Sequence, residues 1–94
     1  MPDEKLARAV RARIRRNMLQ ELCHKGKISV HEIAERLDIT ESSASKHLKM
    51  LYDLGLVSFE DSHPEKFYSI RIREIKELLM AYDRVAKKMK IAQR

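Results

Sequence analysis

The sequence is poor in the residues that build tight turns and aromatic clusters. Its 94 residues include 2 glycines, 2 prolines and no tryptophan, and aromatic side chains make up 5% of the chain. So little turn chemistry argues against an all-β fold, while a hydrophobic content of 44% argues against disorder. A chain of this length buries one small core. The composition therefore predicts a mainly helical α+β protein with a single domain over residues 1–94.

Cysteine and long apolar runs are also scarce. The single cysteine, Cys23, has no partner for an internal disulfide, which is typical of a reducing compartment. No apolar run approaches the roughly 20 residues that a membrane span needs. Residues 1–5 lack the apolar segment of a signal peptide. We therefore expect a cytoplasmic protein without a membrane partner.

The sequence offers no recognisable catalytic or cofactor motif. Two glycines cannot form a Gly-rich phosphate loop, and no nucleophile, base and acid can be assigned to one pocket. Potential metal ligands exist, but no pair of them has a zinc-site spacing such as Cys-x-x-Cys. They are Cys23, His24, His31, His47 and His63. We expect no enzyme, no cofactor and no metal site, and for Cys23 we favour a small buried hydrophobe over a redox or metal sensor.

Positive charge is abundant, and it lies at the two ends of the chain. The formal net charge is +6. Residues 1–27 hold eight Lys/Arg against three acids, and residues 73–94 hold seven against three, whereas residues 28–55 hold three against five. A basic domain of this size indicates a polyanionic partner. The slightly acidic middle keeps a protein partner open as an alternative.

Both ends of the chain have helical periodicity. Residues 3–24 carry an apolar residue every four positions and predict one helix, or two with a bend, ending near Gly26. Residues 73–91 predict a long C-terminal helix with its own apolar stripe. A small core cannot cover both stripes, so we expect the two segments to form a dimer interface rather than to pack only within one chain. Its residues are Leu6, Val10, Ile75, Leu78, Leu79, Tyr82, Val85 and Met89.

The centre of the chain predicts two short helices separated by a three-residue turn. Ser29 and Glu32 have the spacing of a capping box, and the helix that they open should end near Leu37. Thr40 suits the N-cap of a following helix over 41–54, which Gly55 would end. Ala34 is small where the two helices would cross, and Ile39 can plug the angle between them. Residues 29–54 therefore predict a helix-turn-helix.

A β-hairpin should follow this unit. Residues 56–59 alternate between apolar and polar side chains, residues 60–65 read as a polar loop, and residues 67–72 read as the returning strand. Residues 56–72 therefore predict a two-stranded wing, which completes a winged helix-turn-helix fold.

The outward side of the 41–54 helix has small and cationic side chains. Short residues at a helix N-terminus let the backbone approach the major groove, and lysines can reach bases or phosphates. The predicted DNA-binding residues are Thr40, Ser42, Ser43, Ser45, Lys46 and Lys49, with Lys66 and Arg71 from the wing. For the wing, phosphate contact and a merely exposed hairpin are about equally supported. The arginine-rich stretch 8–16 is more simply interpreted as a solvated face than as a phosphate-binding face.

About half of the chain, residues 29–72, resembles the winged helix-turn-helix of ArsR-type regulators. Residues 42–51 carry the resemblance with a Ser-rich start and Ser-Lys-His-Leu, followed by Leu-Gly-Leu-Val at 54–57. The resemblance implies a homodimer that represses transcription from an operator near a promoter. Metal-sensing members have Cys-x-Cys where Ser29 and His31 stand here, or histidines in a C-terminal helix, whereas residues 73–94 contain none. The resemblance therefore does not extend to metal sensing.

Three functions remain to be compared. We favour a homodimer that binds a near-palindromic duplex, with its 41–54 helices about 34 Å apart in successive major grooves. A winged-helix module that docks on proteins of the transcription machinery is the alternative. RNA binding is disfavoured, because the chain lacks an exposed aromatic platform for stacking bases.

Overall fold

The computed structural model describes residues 1–92 of the chain. They contain five helices and three strands. In chain order they are α1 (Pro2–Arg11), α2 (Arg13–Lys25), β1 (Lys27–Ser29), α3 (Val30–Leu37), α4 (Glu41–Asp53), β2 (Val57–Ser62), β3 (Glu65–Ile70) and α5 (Ile75–Ala92). This order confirms a mainly helical winged helix-turn-helix. None of these helices combines the length and apolar character that a membrane crossing requires.

The N-terminal segment forms two helices rather than one. Ala12 has an extended backbone (φ −90°, ψ 130°) and separates α1 from α2. The last carbonyls of a helix have no partner within the helix. At the end of α1 these carbonyls accept hydrogen bonds from the guanidinium groups of Arg15 and Arg16, which lie in the first turn of α2. The N···O distances to the carbonyls of Arg8, Ala9, Val10 and Arg11 are 2.7, 3.2, 2.6 and 3.0 Å.

The first helix of the helix-turn-helix begins as predicted, with one difference. The Ser29 hydroxyl accepts a hydrogen bond from the Glu32 N–H at 3.1 Å. The Glu32 carboxylate accepts from Arg36 Nε at 3.0 Å instead of reaching back to the cap. The capping-box prediction is therefore half correct: the hydroxyl caps the helix, and the carboxylate joins an i, i+4 ion pair.

The turn between α3 and α4 occupies the three predicted residues. Asp38 adopts the left-handed conformation (φ 55°, ψ 51°) that reverses the chain. The Thr40 hydroxyl then accepts from the Ser43 N–H at 3.0 Å and caps α4. Gly55, at φ 86°, lets the chain leave α4 for the wing, a positive φ that L side chains rarely adopt.

The sheet differs from the predicted two-stranded wing. Its strand order is β1-β3-β2, with both pairs antiparallel. The additional strand pairs Lys27 with Ser69 and Ser29 with Phe67. A strand of three residues is too short to show period-two alternation, and its partner lies about forty residues away, so local pattern could not reveal it.

The hairpin itself is tighter than predicted. Ser62 pairs with Glu65, so only His63 and Pro64 form the turn, and the prediction of a loop over 60–65 is wrong. The exposed polar residues of that segment continue the two strands, because a hairpin that extends into solvent needs no apolar face at its tip.

The core lies between α2, α3, α4 and the sheet. Its largest fully buried side chains are Met18, Leu19, Leu22, Ile28, Ile33, Leu48, Leu51 and Val57. Helix α5 adds Ile75 and Leu79, which are each 3% exposed. The apolar side of α4 is thus directed inward, and this orientation decides which residues of α4 face solvent.

Candidate nucleic-acid interface

The outward face of α4 brings the predicted serine and lysine residues together. Ala44, Leu48 and Leu51 are completely buried, so the positions between them point to solvent. Ser43, whose N–H donates to the Thr40 cap, is half-buried. The remaining predicted residues of this helix and its cap are exposed, namely Thr40, Ser42, Ser45, Lys46 and Lys49. The start of α4 therefore presents hydroxyls, and its middle presents two ammonium groups.

The two lysines of α4 differ in their surroundings. Lys49 Nζ lies 3.1 Å from Asp53 Oδ2, one turn further along the same helix. Both side chains are exposed, so this pair contributes little to stability, about 0.3–0.5 kcal/mol, and a phosphate can compete for the lysine. Within residues 1–92, Lys46 has no carboxylate within 4.0 Å. Lys46 is the cation of α4 that is free to contact a ligand.

The wing and α4 enclose an aromatic cleft. Phe59 meets Tyr52 edge to face, with ring centroids 4.9 Å apart, and contacts Tyr68 at 5.6 Å. Lys66 Nζ lies 5.1 Å from the Phe59 ring centroid, a cation–π geometry that holds the ammonium at the cleft. The cleft has a volume of about 210 Å³, and Ser45 and Lys49 also line it.

Sequence reasoning missed the aromatic members of this cleft. Tyr52 lies one turn beyond Lys49 and half of it is exposed, a position that could have been read from helical spacing. Phe59 was assigned to a strand but not to the interface. Its proximity to Tyr52 depends on how the wing folds back on α4, which the sequence pattern does not contain.

Arg71 lies at the base of the wing, not at its tip. Its Nη1 donates to the carbonyl of Gly55 at 3.0 Å, and its backbone N–H donates to the carbonyl of Leu56 at 2.9 Å. Both bonds join the end of β3 to the link between α4 and β2. Arg71 therefore has a structural contact in this chain, whereas Lys66 is the wing cation next to α4.

A histidine connects the two helices of the helix-turn-helix. His31 Nδ1 lies 3.0 Å from Glu41 Oε2 at the start of α4, and His31 Nε2 lies 3.1 Å from Glu35 Oε2 on α3. The hydrogen bond to Glu41 and the negative charges of both carboxylates raise the pKa of His31 above its ordinary value. Ser29 and His31, which occupy the family's Cys-x-Cys positions, are thus both engaged within the chain.

The other residues considered for metal or redox chemistry are Cys23, His24, His47 and His63. In the described part of the chain, no three His, Cys, Asp or Glu side chains form a metal-binding group. Burial raises the pKa of the Cys23 thiol, with Lys76 opposing, so the thiol is protonated and poorly nucleophilic at neutral pH. His47 is half-buried, and this burial, then the positive charge of Arg15, lowers its pKa, so the imidazole is neutral at neutral pH.

The terminal helices leave an apolar surface open. Of the predicted interface residues, Ile75 and Leu79 are buried in the chain's own core, and Val10 is half-buried. The exposed members are Leu6, Leu78, Tyr82, Val85 and Met89, the last two more than half exposed. Leu6 and Leu78 border an apolar groove of about 440 Å³ between α1, α5 and the base of the wing.

This sequence and fold are similar to those of known regulators. Residues 13–58 match the family described as bacterial regulatory protein, arsR family. The arsenical resistance operon repressor of Bacillus subtilis is 34% identical over 65 residues, which cover 69% of this chain and 62% of the repressor. The chain thus spans less than two thirds of that relative's length.

Solved structures extend the similarity to almost the whole chain. HlyU from Vibrio cholerae is 27% identical, with a TM-score of 0.78 over 89% of this chain and 90% of HlyU. A homodimeric winged helix-turn-helix DNA-binding domain from Mycobacterium bovis has a TM-score of 0.80 over 93% of this chain and 80% of that domain; at 23% identity, it supports the fold alone. The chain belongs to the ArsR family of bacterial regulatory proteins.

Proposed function

We propose that this protein is a sequence-specific DNA-binding transcriptional repressor, which acts in the cytoplasm as a homodimer on a near-palindromic operator. The observation that carries the proposal is the exposed face of α4, where hydroxyls precede Lys46, a lysine with no carboxylate within 4.0 Å in residues 1–92. The B. subtilis relative is a repressor, and the M. bovis domain is a homodimer that binds DNA. In this proposal residues 1–94 act as one domain, with residues 29–54 as the DNA-reading unit and 56–72 as the wing.

Helix α4 enters the major groove with its N-terminal half. Ser42 and Ser45 have short side chains, so the helix can approach the base edges closely and donate or accept hydrogen bonds there. The N–H groups at the start of α4 favour a phosphate near Thr40. Lys46 has the length and the free charge to reach a base or a phosphate beyond the serines.

The wing contributes a phosphate contact. Lys66 is exposed and is held against the Phe59 ring, so its ammonium is positioned at little entropic cost when a duplex arrives. Lys49, across the cleft, would exchange its exposed pairing with Asp53 for the same sugar–phosphate strand. Contacts of this kind position the protein and carry no base information.

The second copy of the chain covers the exposed apolar residues of α1 and α5. Leu6, Leu78, Tyr82, Val85 and Met89 are the contact residues of the proposed dimer, within the terminal segments 3–24 and 73–91. A two-fold axis through this surface would set two α4 helices one DNA turn apart. Sedimentation that detects only monomer at micromolar concentration would contradict this arrangement.

A binding assay with a matched lysine control tests the proposal. We expect Lys46→Ala to weaken binding of the chain's own upstream DNA and to reduce the slope of log K against log salt by about 0.9 for each phosphate that the lysine neutralises. Lys87→Ala removes an exposed lysine of α5 and should leave both quantities nearly unchanged. Affinity no higher than for random duplex would instead favour a winged-helix module that docks on proteins.

A further inference from the structure

We propose that α1 carries a DNA-backbone contact of its own: Arg8 forms a phosphate-binding cleft together with Lys46 and Lys49 of α4. This inference rests on the proposed function, since it assumes that α4 binds a duplex. It extends the interface to a helix outside the helix-turn-helix and the wing. The ligand class is a phosphodiester of the strand that borders the groove occupied by α4.

The cleft is formed by two helices that are distant in sequence. Arg8, Lys46 and Lys49 line one open depression of about 350 Å³, with Met50 and Leu54 as its apolar floor. All three cationic side chains are exposed. The depression opens on the side of α4 that presents Lys46, so a duplex bound to that face would place a phosphate strand near α1.

The charge in this region is poorly neutralised. Neither Arg8 nor Lys46 has a carboxylate within 4.0 Å in the part of the chain that the structure describes. Asp53 is the carboxylate that lines the cleft, and it pairs with Lys49. Burial, and then the positive charges of Arg11 and Arg8, lower the pKa of the neighbouring Arg15. An arriving phosphate would relieve this repulsion.

The structure also distinguishes Arg8 from Arg13, Arg15 and Arg16 of the 8–16 stretch. Arg15 and Arg16 direct their guanidinium groups to carbonyls at the end of α1 and are not free to bind phosphate. Arg13 is exposed but does not line the cleft. Arg8 contributes only its backbone carbonyl to the helix junction, so its side chain is free for a ligand. A planar guanidinium is suited to bidentate phosphate contact.

Substitutions of exposed residues test the cleft with little risk to the fold. In a homodimer, Arg8→Ala should weaken binding to an operator duplex about 5–50-fold at 0.1 M salt and reduce the salt slope by about 1.8, one phosphate in each protomer. Arg13→Ala is the matched control, and its slope should stay near that of the wild type. Arg8→Lys should keep the slope and lose only part of the affinity, because it retains the charge. Asp53→Asn should tighten binding by freeing Lys49.

The outcomes distinguish this inference from the function on which it rests. All variants are measured at a concentration where sedimentation gives the wild-type oligomer. If the wild type binds the operator and Arg8→Ala has the affinity and slope of Arg13→Ala, the cleft is refuted and the proposed function stands. A loss of affinity with an unchanged salt slope also refutes the cleft. If the wild type retains no duplex at low salt, both proposals fail.

Discussion

Replacing Arg15 by alanine tests whether this arginine of α2 holds α1 in place. Arg15 is 6% exposed, and its guanidinium donates to the carbonyls of Ala9 and Arg8. A hydrogen bond from a charged donor contributes about 1.5–3 kcal/mol net. The two bonds therefore amount to at most about 3–6 kcal/mol, and because they share one guanidinium their contributions are not fully additive. We expect Arg15→Ala to lower the free energy of unfolding by about 2–4 kcal/mol.

Urea denaturation followed by far-UV circular dichroism measures this loss. The protein concentration must be equal for all variants, because dimerisation contributes to apparent stability. Each kcal/mol should lower the Tm by about 4–8 °C in a domain of this size. Arg15→Lys keeps a charge but lacks the fork that bonds two carbonyls, so it should lose about half as much.

A methionine at the same position separates the hydrogen bonds from packing. Arg15→Met retains the aliphatic stem but leaves the Arg8 and Ala9 carbonyls without their donors, so most of the destabilisation should remain. Wild-type stability in Arg15→Met, or a loss below about 1 kcal/mol in Arg15→Ala, would refute the assignment of Arg15 as a residue that caps α1.

Three further predictions concern the helix-turn-helix. Leu48→Ala removes a fully buried side chain and should cost about 2–5 kcal/mol in urea denaturation; a loss below about 1 kcal/mol would contradict its place in the core. Asp38→Gly should raise the free energy of unfolding by about 0.5 kcal/mol and the Tm slightly, because the left-handed conformation strains aspartate more than glycine. A lower Tm would show that the aspartate side chain stabilises the turn. His31 has a raised pKa in the folded state, so its stabilising contact with Glu41 and Glu35 is complete below the unfolded pKa and is lost as the pH rises through the folded one. The stability difference between wild type and His31→Ala should therefore shrink as the pH rises above about 6.5, and a constant difference across neutral pH would disprove the linkage.

Much of the helix-turn-helix was predictable because its signals are local. The hydroxyls of Ser29 and Thr40 cap helices that begin at the next residue, and both bonds join atoms three residues apart. Local signals also mark the bend at Asp38 and the positive-φ Gly55 that follows α4. Interactions between residues no more than four or five positions apart can be recognised from the sequence alone. The positions of α3, the turn and α4 could therefore be predicted from it.

The candidate site was only partly predictable. Periodicity separates the inward Leu48 from the outward Lys46, and the family resemblance points to the same face. The pairing of Phe59 with Tyr52, and the approach of Arg8 to Lys46, join elements that are separated along the chain. Such contacts depend on how the helices and the sheet pack. A helical period of 3.6 residues or a strand period of 2 residues contains no information about them.

The chain's own amino-acid order was sufficient for its helical class, for the caps that begin α3 and α4, and for the outward serines and lysines, because short-range hydrogen bonds and side-chain period set them. Tertiary packing alone decided that Lys27–Ser29 joins the sheet, that Arg15 and Arg16 close α1, and that Ile75 lies in the core while Val85 remains exposed. The physical reason is that a hydrogen bond or an apolar contact between distant residues depends on which surfaces meet in the folded chain. That choice is made by the core as a whole rather than by any single segment.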